Sequence, residues 1–237
     1  MSKLTDRIIL VTGAGDGIGR AAAKTFAEHG ATVILLGRTI KKLESLYDEI
    51  EQAGYPQAAI YPIDLEGATP HDYEQLANSL DKEFGKLDGL LHNAAILGTL
   101  TPLELYDINQ WYKVMQINVN APFLLTKACL NLMKRSSDAS IIFTSSEVGR
   151  QGKAYWGAYS VSKFAIEGMM QILADELESN TKIRVNSINP GDVRTAMWAA
   201  AYPAKDSNTV PPPEKIMSQY LYLMTSDING KALNAQD

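Results

Sequence analysis

Short apolar runs without polar alternation recur along the chain, each followed by a longer stretch at helical spacing. The clearest are Ile8 to Thr12 (IILVT) and Ala31–Gly37 (ATVILLG). A strand with one wet face alternates apolar and polar residues; a strand covered on both faces does not. Further strands are expected at Ala58–Ile63, Asp88–His92, Ser140–Ser145 and Arg184–Asn189. Between them, helices are expected at Gly17–His29, Asp72–Phe84, Ile108–Lys134 and Gly157–Ser179. A further helix is expected at Ile40–Ala53, where Leu43, Leu46, Tyr47 and Ile50 recur at helical spacing. Repeated β-α units join parallel strands by right-handed crossovers, which predicts an α/β, doubly wound parallel sheet with helices on both faces.

No linker or repeat interrupts the pattern before about residue 196, so residues 1–237 read as one domain. The tail differs. Pro203 and Pro211-Pro212-Pro213 break the chain, and an irregular segment at 192–213 reads as a substrate loop or lid. Helix returns at Glu214–Thr225, with a short last strand at Ala232–Ala235.

Thr12-Gly-Ala-Gly-Asp-Gly-Ile-Gly19 joins the first strand to the first helix. Glycine tolerates positive φ and lets backbone N–H groups approach a ligand, while a helix N-terminus favours negative charge. In a strand–turn–helix setting these properties suit a dinucleotide pyrophosphate.

Charge bounds the partners. With 27 acidic and 22 basic residues the chain carries a net charge of -5, which disfavours nucleic acid and anionic membrane as partners. No apolar run is long enough to span a membrane, and the N-terminus lacks the apolar core of a signal peptide, so a cytoplasmic location is expected. The lone cysteine, Cys129, falls in an apolar helical pattern and reads as a buried structural thiol. The three histidines, at 29, 71 and 92, are dispersed, and no metal is expected.

The spacing of Gly13, Gly17 and Gly19 resembles TGxxxGxG, the phosphate turn of the short-chain dehydrogenase/reductase superfamily. Four more motifs in the same order support the resemblance. They are Asn118 in QINVNAPF, Ser146 after IIFTS, Tyr159-Ser-Val-Ser-Lys163, and Pro190-Gly191 followed by Thr195. The stretch SSEVGRQGKAYWGAYSVSKFA, with NPGDVRTAM, is similar to the YciK-like bacterial oxidoreductases. The resemblance implies a Rossmann-type domain that binds a nicotinamide cofactor. The contacts it implies are Gly13, Asp16, Gly17, Ile18 and Gly19 around the phosphates, Asp64 and Leu65 at the adenine, and Asn93 along its ribose. Pro190, Gly191, Val193 and Thr195 would lie beside the nicotinamide.

The end of the second strand chooses between cofactors. A carboxylate there would accept the ribose hydroxyls and repel a 2′-phosphate. Here Arg38 follows Gly37, with Lys41 and Lys42 nearby, so NADP(H) is preferred, and NAD(H) stays possible.

Tyr159 and Lys163 are four residues apart and share a helix face. An adjacent cation stabilises a phenolate, which makes the pair a plausible acid/base unit for alcohol–carbonyl interconversion. By resemblance, Tyr159 exchanges a proton with the substrate oxygen and Ser146 hydrogen-bonds that oxygen. Lys163 lowers the tyrosine pKa and binds the nicotinamide ribose, while Asn118 supports a water-linked proton relay. Ser145 is the rival of Ser146; the thirteen-residue spacing to Tyr159 favours Ser146.

The family usually reads NNAG where this chain has His92-Asn-Ala-Ala95, and His92 reads as structural. The substrate, a small carbonyl or alcohol compound, should meet Ile96 to Gly98, Glu147 to Trp156 and the segment after Thr195. Gln151, Tyr155, Trp156, Trp198 and Tyr202 are available there. Ile166, Met169, Met170, Leu173 and Leu177 form a stripe that is either core or, by resemblance, part of a homodimer or homotetramer interface. The family often ends in a DGG-like turn, where this chain reads Gly230-Lys-Ala-Leu-Asn-Ala-Gln-Asp. Two other functional readings stay open: an NADP(H)-sensing or scaffold protein without turnover, and an enoyl reductase.

Overall fold

Apolar residues on successive positions of one strand face opposite sides of a sheet, so a continuous run needs two cores. The computed structural model, which describes residues 3–236, has both. Residues 1, 2 and 237 of the range read as one domain lie outside the described residues. Ile9, Val11, Val33 and Leu35 pack in one layer, and Leu10, Ile34 and Leu36 in the other.

The strands are β1 (Ile8–Thr12), β2 (Thr32–Gly37), β3 (Ala59–Pro62), β4 (Gly89–His92), β5 (Ala139–Thr144), β6 (Ile183–Asn189) and β7 (Ala232–Asn234). They form one parallel sheet in the order β3-β2-β1-β4-β5-β6-β7. The helices are α1 (Gly17–Glu28), α2 (Ile40–Gln52), α3 (Pro70–Phe84), α4 (Ile108–Met115), α5 (Ala121–Met133), α6 (Gly157–Glu178), α7 (Ala196–Ala201) and α8 (Met217–Thr225). Helices α1, α2 and α8 cover one face through Phe26, Leu43, Leu46 and Tyr220. Helices α3, α5 and α6 cover the other through Tyr73, Leu76, Leu125 and Ile166. This is the doubly wound, Rossmann-type sheet that the strand pattern predicts. Cys129 is buried within α5, where burial pushes its thiol up to about 12.

Three local readings change. The stretch 108–134 is two helices joined by a π-helical turn at Gln116–Asn120, in which Ala121 N–H reaches the Gln116 carbonyl. Proline has no N–H to give, so Pro122 cannot serve Asn118's carbonyl at the usual four-residue spacing. The segment 192–213, expected to be irregular, contains the short helix α7 and a 3-10 turn at Ser207–Thr209. Thr195 caps α7 by accepting Trp198 N–H at 3.1 Å, and Arg194 ties to Pro211 and Asn208. In α6, Ile166, Met170 and Leu177 are buried, and Met169 and Leu173 pack against them, so that stripe is core.

The N-terminal ends of the strands are pinned by buried charge. Asp88, just before β4, accepts Ile8 N–H at 2.8 Å and the Ser136 hydroxyl at 2.6 Å, and pairs with Lys86 at 2.9 Å. Arg7, just before β1, donates to the carbonyls of Asp88, Asp138 and Met224. Asp138 also pairs with Arg184 of β6. Asp88 holds β1, β4 and the start of β5 in register. Replacing it (Asp88→Ala) leaves a buried amide and hydroxyl without their acceptor. The expected loss, read by urea denaturation, is about 2–4 kcal/mol.

Candidate functional site

A sheet whose strand order reverses opens a crevice at the carboxyl ends of the two strands flanking the reversal. Here those strands are β1 and β4, and a cleft of about 490 Å³ lies against their ends. Thr12, the last residue of β1, ties the two strand ends together. Its hydroxyl donates to the Leu91 carbonyl at 3.2 Å and accepts Asn93 and Ala94 N–H at 2.9 and 3.0 Å.

The glycine turn is a matter of space. Gly13 and Gly17 have φ of 69° and 50°. A Cβ on Gly13 would lie 3.1 Å from Ala94 Cα. A Cβ on Gly19 would lie 2.3 Å from the Gly13 carbonyl oxygen. Gly19 therefore shapes the turn from behind and does not line the cleft, whereas Gly13, Gly17 and Ile18 do. Asp16 lines it too, as the α1 cap: its carboxylate accepts Gly17 N–H at 2.8 Å and pairs with Lys42. Those partners, Lys42 foremost, hold its pKa below the ordinary carboxylate range.

Lys42 is thus engaged by Asp16 and not free beside Arg38, and Lys41 does not line the cleft. Arg38 is exposed at the cleft and makes no hydrogen bond or ion pair among the described residues. Asp64, Leu65 and Asn93 line the wall beyond it.

At the other end, α6 carries Tyr159 and Lys163 on one face, both buried. Lys163 Nζ donates to the Thr144 carbonyl at 2.7 Å and lies 5.5 Å from the centre of the Tyr159 ring. Ser146 lines the cleft with Tyr159 and favours its phenolate. Its rival Ser145 is buried with its hydroxyl unpaired among the described residues. Pro190, Gly191, Val193 and Thr195 line the cleft opposite. The expected lowering of the tyrosine pKa is not the balance found: burial pushes Tyr159 up to about 12, offset in part by Ser146. Burial also brings Lys163 down to about 8, against the pull of Glu167. A dry site penalises both charged forms.

Asn118 sits behind the cleft. Its side chain accepts Ile96 N–H at 2.9 Å and donates to the Ile96 carbonyl at 2.9 Å and to Ser162 at 3.0 Å. The side-chain amide is thereby occupied in fixing the 96 segment. His92 is buried, stacks on Phe143 at 4.7 Å and bonds Thr126 at 2.8 Å; burial lowers its pKa to about 3. It is a packing residue.

Of the anticipated substrate wall, Ile96, Leu97, Trp156, Trp198 and Tyr202 line the cleft. Gly98, Gln151 and Tyr155 do not. Tyr155 is 61% exposed with φ of 73°, because the chain reverses there to start α6. Two contributors had no sequence signal as contacts. Arg150 bonds the buried Glu167 at 3.1 Å and the Leu233 carbonyl at 2.9 Å, tying α6 to β7. Gln236 donates to the Pro190 and Asp192 carbonyls at 2.9 and 2.8 Å, bracing the loop after β6. Among the described residues no cluster of His, Cys, Asp or Glu is arranged to hold a metal ion.

The family model for short chain dehydrogenases matches residues 7–206. The chain belongs to the short chain dehydrogenase family. It is 50% identical over 228 residues to the uncharacterized oxidoreductase YciK of Escherichia coli K12, covering 96% of this chain and 90% of that one. The similarity to YciK-like oxidoreductases is therefore confirmed. A chain from Escherichia coli CFT073 assigned as a short chain dehydrogenase and complexed with NADPH is 50% identical. It superposes with a TM-score of 0.96, over 100% of this chain and 99% of its own. A chain from Shigella flexneri 2a complexed with NADP superposes equally well at 49% identity, over 100% and 99% of the two chains. No helix among the described residues is long and apolar enough to cross a membrane.

The short chain dehydrogenase turn is tightest at Gly19. Gly19→Ala should cost about 2 kcal/mol or more in denaturation, since a backbone atom and not a flexible side chain must move. Gly152→Ala, with nothing within 4 Å of the added carbon, serves as the control and should stay within about 0.5 kcal/mol of wild type.

Proposed function

We propose that the protein is an NADP(H)-dependent oxidoreductase that interconverts a carbonyl compound and an alcohol by hydride transfer, with Tyr159 as general acid/base. The observation that carries the reading is the buried trio in one corner of the cleft. Tyr159 lines the cleft with Ser146 and has Lys163 beside its ring, while an unpaired Arg38 lies at the far end.

The cleft suits the cofactor. Gly13 and Gly17 line the turn expected to receive the pyrophosphate, and a side chain at Gly13, Gly17 or Gly19 would crowd Ala94, Thr195 or the Gly13 carbonyl and displace that turn. Arg38 offers a fork of donors to a 2′-phosphate, with no carboxylate at the end of β2 to oppose it. Relatives 50% and 49% identical to this chain are complexed with NADPH and NADP. Asp64, Leu65 and Asn93 would take the adenosine, and Pro190, Gly191, Val193 and Thr195 the nicotinamide. NAD(H) would lack the phosphate that Arg38 is free to hold.

Bound NADPH supplies the hydride; the protein supplies orientation and a proton. Tyr159 gives its hydroxyl proton to the carbonyl oxygen during reduction and takes it back during oxidation. Held at a pKa of about 12, the phenol is protonated near neutral pH, the form that reduction uses. Ser146 holds the substrate oxygen against Tyr159 by a hydrogen bond. Lys163, still largely ammonium at pH 7 with its pKa near 8, stabilises the phenolate left behind and binds the nicotinamide ribose. Asn118 keeps the 96 segment in place and supports a water-linked relay that returns the proton. The intact trio favours carbonyl chemistry over a cofactor sensor or an enoyl reductase.

Assembly follows from exposed apolar groups. Phe123 of α5 and Phe164 and Ile172 of α6 are 51%, 45% and 60% exposed, on the two helices expected to pair across subunits. A homodimer or homotetramer is expected, and static light scattering that finds only monomer contradicts it.

Tyr159→Phe should lower turnover about 10²–10⁴-fold, the range of a lost general acid, and leave NADPH affinity within about threefold. Stopped-flow absorbance and fluorescence titration measure the two. Arg38→Ala should weaken NADPH about 10–100-fold and NADH by less than about threefold, the loss of charge-assisted bonds to one phosphate. An equal loss for both cofactors overturns the phosphate assignment.

A further inference from the structure

Beside Tyr159 the cleft changes character. Most of its charged lining groups, Asp16, Arg38, Lys42 and Asp64, belong to the turns after β1, β2 and β3; the others are Asp192 in the loop after β6 and Lys163 beside the Tyr159 ring. The two elements facing the Tyr159 hydroxyl are the approach to α6 and the lid helix α7. They contribute no carboxylate, ammonium or guanidinium to the lining. They contribute rings. Trp156 lies 5.9 Å from Tyr159 and 6.0 Å from Tyr202, and Tyr202 lies 5.3 Å from Trp198, all tilted. The rings make a continuous aromatic wall from the phenol to the lid.

Tilted rings at these separations present edges and faces in the arrangement aromatic groups prefer for one another, so a further ring would extend the set. A carboxylate in the same space would lose its hydration, meet the Asp192 carboxylate in the same lining, and find one ammonium, that of Lys163, which already donates to the Thr144 carbonyl and lies 5.5 Å from the Tyr159 ring centre. The exposed Lys153 and Lys205 lie over Trp156 and Tyr202, at 5.6 and 4.3 Å from the ring centres, and do not line the cleft.

We infer that the acceptor end of the cleft takes a neutral aromatic carbonyl compound, packed on the wall that Trp156 on the approach to α6 and Tyr202 just after α7 form together. The inference rests on the carbonyl–alcohol reading proposed above. Trp156 and Tyr202 are then the specificity-determining residues.

The test compares three ketones of matched skeleton: acetophenone, cyclohexyl methyl ketone and 4-acetylbenzoate. Two quantities are read: kcat/KM with NADPH, and calorimetric affinity for the enzyme saturated with NADP+. Acetophenone should exceed each of the others by about tenfold or more in both. In Trp156→Leu and in Tyr202→Leu its advantage over cyclohexyl methyl ketone should fall to within about threefold. Equal handling of the aromatic and saturated ketones overturns the inference, as does preference for 4-acetylbenzoate, failure of all three to bind, or an aromatic advantage that survives both substitutions. Selective binding of acetophenone without reduction of any ketone refutes the reaction and upholds the inference. Reduction of all three with equal efficiency does the reverse.

Discussion

The Thr12 hydroxyl joins the ends of β1 and β4 at the point where the sheet reverses its order, by accepting two amides and donating to one carbonyl. That clip lets the Gly13 backbone press against Ala94, and Gly19 press against Gly13, with no room for a side chain. The start of α1 is thereby aimed into the crevice that the reversal opens. Everything placed further along, from Arg38 at one end to Tyr159 at the other, takes its position from this junction.

Burial is the second constraint, and it acts on the chemistry directly. The same dry packing that holds Tyr159 and Lys163 in one geometry raises the pKa of the first and lowers that of the second. Glu167, one turn beyond Lys163 and itself buried, opposes the loss of the lysine's charge. It is fixed by Arg150 and by the Ser187 hydroxyl at 2.6 Å. Arg150 in turn holds β7, and Gln236 just past β7 braces the loop after β6. The end of the chain thus supports both walls of the cleft.

Much of this was legible before any coordinates. The doubly buried strands announced themselves by lacking alternation, and the glycine spacing located the turn because steric demand is written residue by residue. The break in 108–134 was less visible: Pro122 was in view, but an apolar helical period ran on through it. Helix α7 was hidden because Ala196–Ala201 is short and sits among prolines that read as loop. Tyr155 and Gln151 read as pocket walls by proximity to Tyr159, yet both are exposed and neither lines the cleft. The contacts of Arg150 and Gln236 join residues 83 and 46 positions apart, and no local pattern carries that information.

The central claim is that one cleft brings a dinucleotide from Arg38 to the hydroxyl of Tyr159. A crystal structure of the protein with NADP+ tests it most directly. The account predicts the pyrophosphate on the Gly13–Gly19 turn, the 2′-phosphate on Arg38, and the nicotinamide beside Tyr159 with room for a carbonyl about 3–3.5 Å away. A nicotinamide bound elsewhere, or a 2′-phosphate turned away from Arg38, would contradict it.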